Sequence, residues 1–479
     1  MKTPAIEPQP VREVLFQFVF PFSLEHECQN ELREKLLQDG FIPFRLGDTE
    51  LEDRFYGGRH RVSHPDMERY YLPFTNQVLF PAEDNVEAFR RLSKSLGMKA
   101  QLVSRQRRAS FIIHSVDLFL CPFDTGFLTL RTELDTYNGI TLSESIAFAD
   151  RFRSLQDANR QDRETFVEYE GTMYEEIDQF LFQEIVPQLL VYLDQTPMAG
   201  SYFEELPFLM DERMFVLAFY RFPSEVEISL LDRYRAARLD GFDADGNPAI
   251  SASHLPYIRD YCRRYGYDRW APYTYFFTDE NCFCCLTRES RDHAAVWVSR
   301  WYGEYYYGLL LNLFHRIVLL KLSNAYSRVQ VERKELHTVE LIRDITTFAA
   351  KYNFVEVVAQ SHGREIFQRL RQIYGNDELF IDVKQTLSDL YQYQESRRQH
   401  QSGYLLTILT IYTVISGIYG MNQVIDDLKT PIRWSNMSSY SPFEWIALLV
   451  TFSGLIVAFM LVFDTVRKWS IDFIRRKRK

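Results

Sequence analysis

The chain contains 479 residues, enough for about three domains of typical size. Its composition, 46% hydrophobic, 15% aromatic and 25% charged, excludes a disordered, collagen-like or low-complexity chain. Because acidic residues outnumber basic ones and give a formal net charge of −10, we expect no nucleic acid as a general partner.

Residues 1–300 predict a cytoplasmic α/β domain with a mixed sheet. Helical periodicity predicts helices at 143–155 and 174–193, the second kinked at Pro187. The segment FDTG at 123–126 predicts a hairpin turn. Runs of β-branched or aromatic residues bounded by turn residues predict strands at 14–20, 111–120, 127–134, 214–222 and 273–277.

No catalytic arrangement stands out in this domain. The sequence lacks both common glycine-rich phosphate loops, and no pattern of Ser/His/Asp or Cys/His exceeds chance, so we expect no enzyme and no bound cofactor. Three close cysteines in ENCFCCLTR (280–288) lack a nearby histidine, which favours a buried strand over a zinc site. The absence of a disulfide-type spacing fits six free thiols in a reduced compartment.

Two basic segments are candidates for binding an anion such as a phosphate, although solvated loops are the simpler interpretation. They are GGRHR at 57–61 and SRQRR at 104–108. The second supplies the candidate anion-binding residues Arg105, Arg107 and Arg108.

Residues 301–402 predict a cytoplasmic helical region that ends in a stalk helix. The stretch from 378 to 421 has no proline and glycine only at 403, 417 and 420. As one helix it would be about 66 Å long. The stalk therefore continues without a break into the apolar segment that follows.

Two uncharged apolar runs, 403–421 and 445–463, are each about 28 Å long as helices, close to the ~30 Å hydrocarbon core of a bilayer. They predict transmembrane helices at 403–422 and 445–463, joined by an external loop at 423–444. Basic residues concentrate in the tail at 464–479, which places both termini of a multi-pass protein in the cytoplasm, at an inner or plasma membrane.

A polar stripe runs along the predicted long helix at steps of three and four residues. In its soluble half a solvated helix face is an adequate explanation, whereas in its apolar half polar positions favour either close helix packing or a water-filled path. We favour a path shared by several copies, since two helices per chain cannot enclose a pore. The stripe positions assigned to this path are Gly420, Gly417, Thr413, Thr410, Leu406, Gln399, Asp389, Asp382 and Glu378.

Within this stripe, the large apolar Leu406 is the candidate gate, and the carboxylates of Asp389, Asp382 and Glu378 would attract cations. Beyond Gly420 the chain continues with Met421 and Asn422. A ring of neutral Asn422 amides could pass Mg²⁺ with part of its water shell. Asp426 and Asp427 would concentrate cations, as candidate metal-binding residues at the outer mouth.

The motif YGMN at 419–422, placed at the end of the first of two carboxy-terminal spans, resembles the CorA divalent-cation transporters over residues 378–479. The resemblance implies a homopentameric funnel with an α/β cytoplasmic domain, embedded in lipid. It also implies a channel for Mg²⁺, with Co²⁺ and Ni²⁺ as further ions, in which Asn422 is the selectivity-filter amide and Mg²⁺ is both transported and regulatory.

The sequence departs from that family after its motif, where the run is QVIDDLKTPI, and in its long external loop. These departures leave the gating signal open. One alternative is a CorA-like membrane effector opened by a nucleotide second messenger, of the kind found beside type III CRISPR systems. A zinc transporter on the same scaffold and a structural membrane anchor without conduction are further alternatives.

Overall fold

The computed structural model of the chain describes ten continuous stretches and, between 445 and 460, single residues and pairs. The stretches are 6–82, 85–104, 107–137, 139–156, 165–194, 213–243, 245–332, 335–354, 356–420 and 441–443. The chain divides into two compact units, Met1–Thr386 and Leu387–Lys479.

The described part of the first unit contains short and long strands: β1 Pro10–Val11, β2 Glu13–Ser23, β3 Ile42–Pro43, β4 Arg90–Ser104, β5 Arg107–Cys121, β6 Thr125–Leu134, β7 Ile140–Thr141, β8 Thr165–Tyr169, β9 Thr172–Tyr174, β10 Phe215–Arg221, β11 Gly266–Tyr267, β12 Thr274–Thr278 and β13 Cys282–Thr287. Eleven of them form one sheet in the order β11-β12-β13-β10-β2-β6-β5-β4-β8-β9, with β3 paired to β4. β1 and β7 form a separate antiparallel pair. Among the described ladders, β10 with β13 is the one parallel pairing, so the sheet is mixed, as predicted.

The five predicted strands are confirmed as β2, β5, β6, β10 and β12, and the cysteine segment is β13. The predicted hairpin turn is also confirmed, because it joins β5 to β6. Phe123 and Asp124 both adopt positive φ, at 62° and 50°, as a tight hairpin requires. The ammonium group of Lys321 stabilises this conformation by donating to the carbonyls of Phe123 and Asp124 at 2.9 and 3.2 Å.

The helices of the described chain are α1 Gln29–Gln38, α2 His64–Tyr70, α3 Pro73–Leu79, α4 Leu142–Arg153, α5 Ile177–Phe180, α6 Leu230–Arg238, α7 Leu255–Tyr265, α8 Arg291–Tyr302, α9 Glu304–Glu332, α10 Glu335–Lys351, α11 Ser361–Ile373 and α12 Asn376–Gly420. The predicted helix at 143–155 is confirmed as α4, which begins with a capping box between Thr141 and Glu144. The long helix predicted from 378 is confirmed as α12, up to Gly420.

The predicted helix at 174–193 is wrong. This segment contains the single turn of α5, a π-helical turn at Leu181–Ile185 and a 3₁₀ turn at Leu190–Tyr192. Pro187 lies between the last two, and it cannot donate the backbone hydrogen bond that a continuous helix needs. Most of the apolar side chains that gave the helical periodicity are buried in the core instead, whereas Leu190 and Val191 are exposed.

Helices cover both faces of the sheet, which positions the site described below. On one face, Phe18 of β2 packs against Phe152 of α4 with ring centroids 4.8 Å apart. On the other face, the amide of Gln17 donates to the carbonyl of Trp301 in α8. Successive residues of a strand point to opposite faces, so β2 is buried by helices on both sides.

In the second unit, the hydroxyl group of Tyr412 in α12 donates to Ser453 Oγ at 2.6 Å. Within the part of the chain that the structure describes, no helix combines the length and the apolar composition needed to cross a membrane.

The two predicted transmembrane helices are therefore wrong as a description of this structure. The multi-pass location at an inner or plasma membrane and the interpretation of the chain as a membrane channel, which both depended on these helices, are corrected with them. The predicted external loop at 423–444 and basic tail at 464–479 lie mainly outside the described residues.

Candidate functional site

An open cleft of about 350 Å³ lies where α8 ends and α9 begins. We call it the Glu304 cleft. Its lining comes from α2, from the consecutive helices α8 and α9, and from the residue before α11, so three regions that are distant in sequence meet there. The lining residues are Asp66, Ala295, Val296, Ser299, Arg300, Glu304 and Gln360.

Gly303 separates α8 from α9 and lets both approach α2 closely. A Cβ atom at this position would lie 2.9 Å from Val62 Cγ1 and 3.0 Å from Met67 Sδ, too close for either contact. The backbone amide of Ser63, the residue before α2, donates to Ser299 Oγ of α8 at 3.4 Å. The glycine is therefore needed for the packing that forms the cleft.

Glu304 is the first residue of α9, and its side chain is only 5% exposed. Its Oε2 atom has no hydrogen-bond partner among the described residues. Burial raises the pKa of this carboxyl group to about 7, an effect that the positive charge of Arg300 opposes and the carboxylate of Asp66 reinforces. Near neutral pH the group is about half protonated, so it can either donate or accept a hydrogen bond.

The backbone at this point is held by Tyr71, whose hydroxyl group donates to the carbonyl of Glu304. Beside it, Tyr70, Tyr305 and His362 form an aromatic cluster with ring centroids 6.1 to 6.5 Å apart. Burial and the nearby charge of Arg300 lower the pKa of His362 to about 4. This imidazole is therefore neutral at physiological pH.

A second group of titratable side chains lies at one end of the sheet. We call it the His–Glu row: Glu13 of β2, His60, His114 of β5 and Glu133 of β6. His114 Nε2 lies 2.8 Å from Glu133 Oε2, and His60 Nε2 lies 3.6 Å from Glu13 Oε1. Each carboxylate has a second cationic neighbour, Arg221 Nε at 3.0 Å from Glu13 Oε2 and Arg59 Nη1 at 3.6 Å from Glu133 Oε1.

The His–Glu row is mostly closed to solvent, with His60 8% and Glu133 16% exposed at their side chains. The contacts of His60 with Glu13 and of Arg59 with Glu133 join residues 57–61 to the strand ends. The row therefore fixes this segment on the sheet, and the remaining basic residue, Arg61, pairs with Glu52.

A third group is fully buried. Asp117 of β5 lies between Arg91 of β4 and Arg131 of β6, and it also accepts a hydrogen bond from Ser93 at 2.7 Å. Arg91 in turn donates to the hydroxyl group of Tyr307 in α9 at 2.8 Å. Burial alone would raise the pKa of Asp117, but the two guanidinium groups outweigh it and lower the value. This cluster is a structural part of the core.

The residues that the sequence analysis assigned to an anion site do not converge. The guanidinium of Arg107 stacks on the ring of Phe242 at 3.4 Å and donates to the carbonyl of Gly246. Arg108 Nη1 lies 3.8 Å from Glu168. Arg105 lies outside the described residues.

The residues assigned to a pore lie along α12 and form no site in the described structure. Thr410 and Thr413 donate their hydroxyl groups to the carbonyls of Leu406 and Leu409, both at 2.7 Å. The side chains described at the predicted stripe positions Leu406, Gln399, Asp389, Asp382 and Glu378 are exposed. Gly417 and Gly420 are helical, whereas Met421, Asn422, Asp426 and Asp427 lie outside the described residues.

No metal centre is found in the described part of the chain, where no three His, Cys, Asp or Glu side chains are placed to hold one ion. The predicted metal-binding residues Asp389, Asp382 and Glu378 accordingly form no such group. In the cysteine segment that was considered for zinc, burial raises the pKa values of the Cys284 and Cys285 thiols well above the usual value for cysteine. This disfavours the thiolate form that metal binding needs.

Comparison with protein-family models and with curated proteins finds no match to this chain. The resemblance to CorA transporters therefore stays a prediction. Sequence reasoning missed the Glu304 cleft, because nothing local marks Glu304 as buried. The available signal was the pair Gly303-Glu304 between two helical segments. The glycine interrupts the helix, so the charged residue after it becomes the first residue of the next helix.

Proposed function

We propose that this chain binds a small molecule in the Glu304 cleft and senses its presence, and that α9 transmits the occupancy of the cleft to the first turns of α12. The observation that carries this proposal is that Glu304 is buried, lines an open cleft and has an Oε2 atom with no partner among the described residues. A buried polar group without a partner is destabilising. Oε2 is covered in the empty cleft, so a ligand whose binding uncovers this atom would supply the missing partner.

The contacts of α9 support the second part of the proposal. Glu304 is its first residue, and two turns later Asn312 accepts a hydrogen bond from the buried amide of Asn376, the first residue of α12, at 3.1 Å. One turn further, Arg316 Nη1 donates to the carbonyl of Tyr374 at 2.6 Å. A shift of α9 at the cleft would therefore move the start of α12 with it.

This proposal keeps one part of the alternative interpretation of the sequence, namely control of the chain by a small ligand. It includes no membrane step and no catalytic step. Because Arg107 and Arg108 are engaged with Phe242 and Glu168, the ligand is expected in the Glu304 cleft and not at the basic segment.

Thermal unfolding of the full chain with a library of small polar molecules tests the binding part. We expect at least one compound to raise the Tm of the wild type and of Glu68→Gln, an exposed carboxyl on the same helix α2 as Asp66. The same compound should not raise the Tm of Glu304→Gln. No stabilising compound, or equal stabilisation of Glu304→Gln, would overturn the proposal.

Amide hydrogen exchange of the same protein tests the transmission. A stabilising compound should slow exchange at the cleft and also in residues 376–386. In Asn376→Ala we expect the compound to bind and the effect on residues 376–386 to disappear. If exchange in the wild type changes only around the cleft, the transmission part is wrong and the binding part stands.

A further inference from the structure

The lining of the Glu304 cleft indicates the chemical class of its ligand. We propose that the ligand is an organic amine whose protonated nitrogen pairs with the carboxylate of Glu304. This inference rests on the proposed function and specifies the ligand of that same site.

The charges around the cleft favour a cation. Asp66 from α2 and Glu304 from α9 are both carboxyl groups, and Arg300 from α8 is the one cation among the lining residues that the structure describes. With Glu304 ionised the lining carries one excess negative charge. A single protonated nitrogen would balance that charge by pairing with the carboxylate of Glu304, whose Oε2 atom is covered and without a partner in the empty cleft.

The size and walls of the cleft favour an organic molecule over a bare ion. Its volume of about 350 Å³ far exceeds the ~30 Å³ share of one water molecule. Ala295 and Val296 provide an apolar wall for a carbon skeleton, and Ser299 and Gln360 provide neutral hydrogen-bonding groups. A divalent ion needs six or more oxygen ligands and would lie beside the positive charge of Arg300.

Proton exchange on binding reports the charge of the ligand. Because burial brings the pKa of Glu304 to about 7, the empty site holds about half a proton at neutral pH. A cationic nitrogen pairs only with the ionised carboxylate, so an amine should displace that proton. An anionic ligand bound to Arg300 would favour the protonated form of Glu304. Its binding would therefore be accompanied by proton uptake.

The other charged residues of the cleft lining are Asp66 on α2 and Arg300 on α8. On the α11 side, His362 has its pKa lowered to about 4, and Glu365 pairs with Arg269 at 3.6 Å. The pH dependence of binding between pH 6 and 8 is therefore assigned to Glu304.

Isothermal titration of the full chain with ethanolamine, 1,4-diaminobutane and arginine tests the inference. The matched probes without a cationic nitrogen are 1,4-butanediol and succinate. We expect at least one amine to bind, to release protons at pH 7 when buffers of different ionisation enthalpy are compared, and to bind about tenfold more tightly at pH 8 than at pH 6. Glu304→Gln should lose at least tenfold in affinity and the pH dependence, whereas Glu68→Gln should keep both.

Proton release is measured on the wild type, so the test does not depend on the folding of Glu304→Gln. If only neutral or anionic compounds bind, or if binding takes up protons, the amine class is wrong and the proposed function stands. If neither the amines nor any compound of the polar library occupies the cleft, both are wrong.

Discussion

His114 Nε2 lies 2.8 Å from Glu133 Oε2 because a β-bulge in β5 turns the histidine toward the neighbouring strand. The register of β5 against β6 shifts between Ile113 and Ser115, which leaves His114 as the extra residue. Burial by itself would raise the pKa of Glu133, but this hydrogen bond and the adjacent charges lower it. The bulge thus places the His114 ring against Gly57, in the segment 57–61.

Gly57 and Gly58 form a matched pair that tests this packing. Both have positive φ, at 80° and 67°, but a Cβ on Gly57 would lie 2.7 Å from the His114 ring, whereas one on Gly58 would meet nothing within 4 Å. Gly58→Ala should cost only the backbone strain of about 1–2 kcal/mol. Gly57→Ala should cost about 1–3 kcal/mol more, because His114 must move.

Urea denaturation of both variants at pH 7.5 measures the difference in the free energy of unfolding. Equal losses would show that the His114 ring can move away without losing its bond to Glu133.

Glu304→Gln should change the pH dependence of stability. The pKa of Glu304 is raised to about 7 in the folded state, so this group favours folding when protonated and opposes it as pH rises from about 4.5 through 7. At pH 8 the substitution should therefore stabilise the fold, by up to ~3 kcal/mol.

The measurement is the free energy of unfolding from pH 5 to 8.5, with Glu68→Gln as the control that retains the wild-type profile. If the free energy of unfolding of Glu304→Gln falls with pH as steeply as that of the wild type, a group other than Glu304 causes the pH dependence.

Asp117→Asn should be strongly destabilising. The substitution leaves the guanidinium groups of Arg91 and Arg131 buried without their counter-charge, which typically costs about 3–5 kcal/mol. Asp150→Asn is the control, because Asp150 pairs with Arg153 at 2.9 Å but its side chain is 44% exposed, and it should cost under ~1 kcal/mol.

Chemical denaturation gives both values. A cost for Asp117→Asn close to that of Asp150→Asn would mean that water reaches the arginines in the folded state.

Asn312 and Asn376 should be energetically coupled. Asn376 Nδ2 donates to both the carbonyl and the Oδ1 atom of Asn312, at 3.1 and 3.2 Å, in a buried environment. A double-mutant cycle with alanine at both positions should give a coupling of about 0.5–3 kcal/mol. The exposed pair of Arg371 and Asp377, at 2.6 Å, should give less.

Non-additivity of the unfolding free energies is the quantity to compare between the two cycles. Coupling below that of the Arg371 pair would remove the basis for transmission from α9 to α12.

Local patterns predicted much of the α/β unit. The hairpin at Phe123 and Asp124 and the strand β13 were predictable because turn residues and β-branched or aromatic runs act over a few positions. The helix predicted at 174–193 failed because its apolar period records burial, which a broken segment around Pro187 satisfies equally well. Periodicity reports which side chains are buried and does not report the backbone that buries them.

The candidate site was not predictable in the same way. The raised pKa of Glu304 comes chiefly from its burial, which only the tertiary fold provides; Arg300 opposes the rise and Asp66 adds to it. The membrane helices were predicted from uncharged apolar runs, and no helix among the described residues meets the length and composition of a span. The burial of Glu304 depends on which elements pack around it, and a single sequence does not contain that information.

The parallel pairing of β10 with β13 has a consequence for synthesis of the chain. β10 ends at Arg221 and β13 begins at Cys282, so a newly made β10 has an open edge until about sixty further residues have left the ribosome. During that interval its backbone groups can pair with another nascent chain.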